Sequence, residues 1–328
     1  MELRTTFEIP PSELKISYYD PVMFIGSCFA TSIGNQFEIG HMPVMINPAG
    51  TVYNPVSVCN TISSITEKRV YNSDDLYNYQ GNWVSFNHST DFTCPDLTET
   101  LDTINRRSAE AGSFLSTARF LFVTFGTANV YKWSGSGMIV SNCHKIPARE
   151  FKRELLSVDE ITALWETQLD TLDRLYPGLK VVFTISPVRH WKDGAHGNQV
   201  SKSVLFLSVE KLLSHPSGPS YFPAYELVMD DLRDYRFFSD DMLHISDIAI
   251  NYIWQAFCRC YFEKATADLW NEISNISRAL LHKIKDKSSD QTKLFAGKII
   301  TMIDSVLSRN PGVDLSKERK YFLALLQN

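Results

Sequence analysis

Short apolar runs alternate with longer helical periods along this chain, and the alternation predicts its architecture. Val22 to Ile25, Val44 to Ile46, Phe120 to Phe125 and Val181 to Ile185 are apolar at consecutive positions and run into Gly, Asn-Pro or Ser-Pro. A strand covered on both faces reads this way, because neither side of its pleat meets water. Ahead of the fourth run, Ser157-Val158-Asp159-Glu160 has capping-box spacing, in which hydroxyl and carboxylate each satisfy an amide at a helix start. Ile161, Leu164, Trp165, Leu169, Leu172 and Leu175 then recur at helical spacing until Pro177-Gly178 ends the run. A helix feeding the next buried strand is the grammar of a parallel sheet. Ser201 to Leu213 and Ile248 to Phe262 have the period of two further covering helices. The predicted class is α/β: a three-layer α/β/α domain around a mostly parallel sheet of about five strands.

The pattern changes from about Ala267. Leu269, Ile273, Ile276, Leu280, Leu281 and Ile284 make one helical stripe. After the polar break Lys285 to Asp290, Leu294, Ile299, Ile300, Ile303 and Leu307 make another. The expected division is a main domain over residues 1–265 and a helical appendage over 266–328. Such an appendage packs on the main domain or serves a partner, a second copy of the chain included.

Composition narrows the function classes. A chain of 328 residues that is 44% hydrophobic has ample surface for one large core. The net charge of −5 is spread without a basic stripe, which argues against nucleic acid. No apolar run approaches the roughly 20 residues that span a bilayer. Met1 to Thr6 lacks the basic start and apolar stretch of a signal peptide, so a cytoplasmic protein is expected. Six cysteines then read as free thiols, and no Cys-x-x-Cys pair suggests structural zinc. His144, His190, His196 and His244 lack metal-site spacing, so neither metal nor cofactor is expected.

Two motifs carry candidate chemistry. Phe24-Ile25-Gly26-Ser27-Cys28-Phe29-Ala30 is a buried strand running into a small-residue turn, with Ile33 and Phe37 marking a helix behind it. A turn of this kind exposes a nucleophile at a strand end, and the helix N-terminus would favour a thiolate at Cys28. A tight turn holding an inert buried cysteine reads equally well from this motif alone. At the other end of the chain, Asp241-Met242-Leu243-His244 sets a carboxylate three residues before a histidine. The carboxylate can hold one ring nitrogen and leave the other to take a proton. Leu232 to Phe237, just upstream, reads as an internal ion-pair network of Arg233, Asp234 and Arg236.

Together these motifs resemble the GSCFA-domain family, whose name stands here as Gly26 to Ala30. Further landmarks follow in order: Asn47-Pro48-Ala49-Gly50 with Tyr53-Asn54-Pro55, Thr124 to Ala128, Asn142 to Lys145, and Ser186-Pro187-Val188-Arg189-His190. The resemblance covers about residues 3–265 and implies kinship with the SGNH/GDSL esterases and acyltransferases. On that pattern Cys28 takes the place of the nucleophilic serine, with Ser27 as the alternative, and Asp241 and His244 complete a Cys/Ser-His-Asp site. The amides of Cys28 and Gly50 would hold an oxyanion. Strict alignment sets Ala128 where that pattern has its third donor, an asparagine, with Asn129 one residue later. Arg189, His190, Asn198 and Lys202, with His144, would bind substrate; Arg189 and Lys202 suit an anionic group.

The implied activity is ester hydrolysis or O-acyl transfer on a small-molecule or saccharide ester, by analogy that of a glycan or glycolipid precursor. The rival is a binding or assembly module that keeps the fold without turnover.

Overall fold

The computed structural model describes residues 6–327. In chain order the elements are β1 (Val22–Gly26), α1 (Cys28–Ile39), β2 (Val44–Ile46), α2 (Pro55–Thr66), β3 (Tyr77–Tyr79), β4 (Asn82–Val84), α3 (Leu97–Leu115), β5 (Phe120–Phe125), β6 (Asn129–Trp133), β7 (Ile139–Val140) and β8 (Phe151–Leu155). There follow α4 (Val158–Leu175), β9 (Lys180–Ile185), α5 (Gly194–Leu212), β10 (Ser220–Tyr221), the short α6 (Ala224–Glu226), α7 (Asp247–Tyr261), α8 (Lys264–Ala279), α9 (Asp290–Arg309) and α10 (Ser316–Leu326).

The central sheet has five parallel strands in the order β10-β9-β5-β1-β2, with helices on both faces. Its four longer-predicted strands fall where the apolar runs place them. Every residue of β1 and β5 is buried, as a strand covered on both sides requires. Met23, Ile25, Leu121, Val123, Phe125, Phe183 and Ile185 form one core with Ile62 of α2, Leu115 of α3, Trp165 and Leu169 of α4, and Leu205 of α5. The Ser157–Glu160 capping box is made in both directions, at 2.7 and 3.2 Å. Two smaller antiparallel sheets, β3-β4 and β7-β6-β8, lie outside the main one. The helix expected from Ser201 starts earlier, at Gly194.

The strand order puts a topological switch between β1 and β5. From β1 the chain goes to β2 on one side, and the later strands build out on the other. Open α/β sheets bind ligands in the crevice at the carboxyl ends of such a strand pair.

The chain divides into two compact units that interleave in sequence. One comprises residues 1–9, 21–34 and 44–256 and contains the sheets. The other comprises 10–20, 35–43 and 257–328, so it starts before residue 266 and takes in two N-terminal segments. Hydrogen bonds explain the recruitment: Ser12 N and Ile16 N donate to Cys260 O and Tyr261 O, and Trp270 Nε1 donates to Gln36 O at 2.7 Å. Its C-terminal part has three helices, α8, α9 and α10, where the apolar stripes predicted two. Among the described residues no helix is long and apolar enough to cross a membrane.

Candidate active site

The turn after β1 is built by close approach. Gly26 adopts φ +145°, and a Cβ there would sit 2.1 Å from the Thr124 carbonyl oxygen of β5. Only glycine meets both conditions. The Asn47 side chain accepts from Gly26 N at 2.8 Å and donates to Thr31 Oγ1 at 2.8 Å, while Val52 N donates to Gly26 O at 3.0 Å. Ser27 is 1% exposed, and its hydroxyl accepts from Phe29 N at 3.3 Å, so it caps α1. Cys28 follows as the first helical residue and is partly exposed.

The thiol is pulled two ways. Burial raises its pKa, and the amides of Phe29 and Cys28 and the Lys202 ammonium oppose that; the Asp241 carboxylate adds to the rise. Burial wins and the net direction is up, against the sequence expectation of a favoured thiolate. The helix N-terminus acts as expected, but a partly desolvated anion costs more than it returns.

Lys202 of α5 is buried, and its Nζ donates to Gly126 O at 2.7 Å and Ser186 O at 2.6 Å. It stitches the carboxyl ends of β5 and β9 together at the edge where Cys28 sits. Burial brings its pKa down to about 7, and the Cys28 thiol works against that. The two carbonyls also favour the charged form. Tyr225 lies under the ammonium, 5.6 Å from Nζ to ring centre.

Around Lys202 the loops after β2, β5 and β9 meet. Tyr53 O accepts from Gly126 N at 2.7 Å, and the Tyr53 ring packs edge-on against His190 at 5.9 Å. Asn198 is fully buried and fixes the loop by accepting from His190 N at 2.8 Å. Burial, then Lys202, Arg153 and Lys192, hold His190 near pKa 4, so it is neutral at pH 7. Arg189 lies over Trp191 at 4.8 Å and only partly offsets the rise that burial gives the Tyr225 phenol, while its buried Nε has no hydrogen-bond partner.

His244 sits on the chain just before α7. Its Nδ1 meets Asp241 Oδ2 at 2.6 Å, and Asp241 Oδ1 accepts from the amides of Leu243 and His244 at 2.9 Å. Those bonds bring the Asp241 carboxyl to about 2. Both side chains are about half exposed, 54% and 48%.

Other candidates have different partners. The Gly50 amide donates to Asn47 O at 2.8 Å, which engages that donor inside its own turn. The Asn129 amide donates to Asp193 Oδ2 at 2.9 Å, and Asp193 pairs with Arg153. His144 Nε2 meets Ser85 O at 2.7 Å and its Nδ1 meets Thr93 Oγ1 at 3.4 Å, which sets it with the segment 85–93. There it neighbours the buried His88, whose Nδ1 meets Ser85 Oγ at 2.7 Å. The expected internal network at Arg233 to Arg236 is instead two local, exposed pairs, Arg233–Asp230 at 3.2 Å and Arg236–Asp234 at 2.7 Å. In the sequence Tyr53 stands only as part of a landmark, and nothing signals Tyr225, a lone tyrosine whose place at Lys202 only the fold creates. Among the described residues no three His, Cys, Asp or Glu side chains group as metal ligands would.

No curated protein matches the sequence significantly. A solved structure described as "a putative platelet activating factor from Streptococcus pneumonia" is similar at 12% identity, over 74% of this chain and 84% of that one, with a TM-score of 0.36. A likeness at that score bears no weight for activity. Residues 21–257, well over half of the chain, match the GSCFA family and span both the Gly26 turn and the Asp241–His244 pair. The chain belongs to the GSCFA family.

Proposed function

We propose that the protein cleaves or transfers acyl esters through a thioester on Cys28. The observation that carries this reading is the Cys28 thiol at the N-terminus of α1, beside the β1–β5 switch point, within electrostatic range of Lys202 and Asp241. Asp241 holds His244 Nδ1, which leaves Nε2 as the base. In the first step Nε2 takes the thiol proton, and sulfur attacks the ester carbonyl. The Cys28 amide, at the positive end of the helix, steadies the oxyanion. Collapse expels the alkoxide, which the imidazolium protonates. Water or an acceptor hydroxyl then gives its proton to His244 and displaces the thiolate, releasing acid or new ester, and the imidazolium returns that proton to the Cys28 sulfur.

Ser27 is a poorer nucleophile, being buried and engaged as the helix cap. Arg189, with an unpartnered buried Nε, and neutral His190 suit a polar or anionic part of the substrate. The rival reading, a binding module on the same fold, is favoured by one observation: the Gly50 and Asn129 donors are both engaged elsewhere.

Hydrolysis of short-chain p-nitrophenyl and sugar-acetate esters decides between them. Cys28→Ala should lower turnover by about 1,000-fold or more with stability nearly unchanged, because the covalent route is lost. Ser27→Ala should keep most activity, apart from a loss of about 1 kcal/mol in stability from the missing cap. Full activity in Cys28→Ala sinks the thioester mechanism, and no turnover of any ester by the wild-type chain favours the binding module.

A further inference from the structure

The sheet-containing unit has a concavity whose lining includes no residue of the Cys28 turn. It is a cleft of about 740 Å³ lined by α2, the segment after it, β3 and the β6–β7 turn. That size lies within the roughly 300–1,000 Å³ of small-molecule sites.

One part of the lining is aromatic. Tyr77 and Phe86 stack at 5.9 Å with 23° between planes, Trp133 lies 5.5 Å from Tyr77 and 5.0 Å from Phe86, and Phe151 backs Trp133 at 5.2 Å. Gly135 lets the indole lie against the β6–β7 turn, since a Cβ there would come within 2.6 Å of Trp133 Nε1. The rings are therefore set before any ligand arrives, and little order has to be imposed on binding. Tyr77 remains 41% exposed.

Leu76 and Met138 add two apolar side chains. The other side of the lining is polar: Asn60, Ser63 and Ser64, with Glu67, Asp74 and Asp75 against a single cation, Arg69. That cation is already held by Asp75 at 2.5 Å and lies over Tyr71 at 4.7 Å. A wholly apolar ligand would strip water from these groups without replacing its hydrogen bonds. A phosphate or carboxylate would meet three carboxylates and a guanidinium already paired. A pyranose ring fits both halves, with a C–H face for the aromatics and a rim of hydroxyls for amides, hydroxyls and carboxylates.

We infer that this cleft binds a neutral or amino sugar through the Tyr77–Phe86–Trp133 platform and the carboxylates of Glu67 and Asp74. A smaller cavity shares Ser64 and Asn87 with the cleft and adds Pro48, Ala49 and His88. Pro48 and Ala49 belong to the loop that bonds Gly26 at both ends, through Asn47 Oδ1 and Val52 N. One loop therefore lines the smaller cavity beside the cleft and bonds the turn that carries Cys28. The inference goes beyond the ester chemistry and does not require turnover.

The test is saturation-transfer NMR and tryptophan fluorescence on the full chain carrying Cys28→Ala, so that binding is read without catalysis. Cellotriose, chitotriose and glucosamine are the probes, glucuronic acid is the anionic control, and phosphatidylcholine vesicles bearing a glucosyl diacylglycerol distinguish a lipid-borne sugar from a free one. Transfer to ring protons of a neutral or amino sugar is expected, with glucuronic acid weaker by about tenfold. Trp133→Ala should weaken binding about tenfold. Because that substitution also removes packing against Phe151, Tyr77→Ala and Asp74→Asn, at exposed positions, serve as second variants, each expected to weaken binding severalfold. No transfer to any sugar, free or lipid-borne, overturns the inference. Binding unchanged in both Tyr77→Ala and Asp74→Asn overturns it too.

Discussion

The two ends of the proposed catalytic site are built on opposite plans. The Gly26-Ser27-Cys28 turn is locked by long-range contacts, with Thr124 of β5 against Gly26 and Asn47 and Val52 bonding its backbone. Asp241 and His244 instead make their side-chain bonds within three residues, on a half-exposed segment where Met242 adopts φ +58° and Ser239 N donates to His244 O at 2.8 Å. The first plan fixes where a nucleophile stands. The second fixes how a base is oriented while leaving the segment free to adjust, which suits a group that must reach one atom, lose a proton and regain it. A site made this way separates positional precision from proton handling.

The largest expected effect breaks the first plan. Gly26→Ala puts a methyl 2.1 Å from a carbonyl oxygen at φ +145°. A loss of about 4 kcal/mol or more is expected, read as a collapsed urea midpoint or insoluble protein. The matching change at the other end, Met242→Gly, should shift stability by no more than about 1 kcal/mol, because strain relief and added unfolded-chain freedom oppose each other. Equal effects from the two would show that the turn is no more constrained than the loop.

Next in size is a pH effect on the buried loops. His88 is 4% exposed, and burial, with His144 nearby, brings it from 6.5 down to about 4. Between those two pH values the unfolded chain binds a proton that the folded chain refuses, so stability falls as pH falls from 6.5 and the loss is complete near 4. For a shift of this size the loss is about 3 kcal/mol. His190 adds to it in the same direction over the same window. Urea midpoints at pH 7 and pH 4.5 check this, with His88→Gln expected to flatten the slope. A wild-type midpoint that does not move would rule out a buried neutral imidazole.

The same contrast explains what could be read along the chain. β1, β2, β5 and β9 were legible because strands covered on both faces carry uninterrupted apolar runs, and α4 because its capping box is local. The Asp241–His244 bond was legible for the same reason, as it spans three residues. Helix α2 was not, since Val56, Val58, Thr61, Ile62 and Ile65 are β-branched and its helical start depends on the Asn54 side chain accepting from Ser57 N at 2.8 Å. Partners distant in sequence were equally silent: Lys202 with Gly126 and Ser186, Asn129 with Asp193, and the Tyr77–Phe86–Trp133 platform. Spacing cannot report a contact that only the fold creates.

The smallest expected effect sharpens the comparison most, because it asks whether the two ends sense one another. Lys202 lowers the Cys28 thiol pKa and Asp241 raises it. Removing each charge should therefore move the thiol in opposite directions. Lys202→Met should shift the pH profile of Cys28 alkylation by iodoacetamide upward and slow labelling severalfold at pH 6.5, below the lysine's pKa of about 7 where it still carries its charge, since only the thiolate reacts. Asp241→Asn should shift the profile downward by less, because Asp241 is half exposed and water and salt screen it. Lys202→Met also removes two hydrogen bonds to strand-end carbonyls, and its fold is checked by circular dichroism. The Asp241 variant disturbs no such stitch and carries the argument by itself. Raising ionic strength should shrink the Asp241 shift and leave most of the Lys202 shift, as a buried charge is little screened. If Asp241→Asn leaves the alkylation profile where it was at low salt, the carboxylate is too remote to act with Cys28, and His244 must then reach the thiol without it.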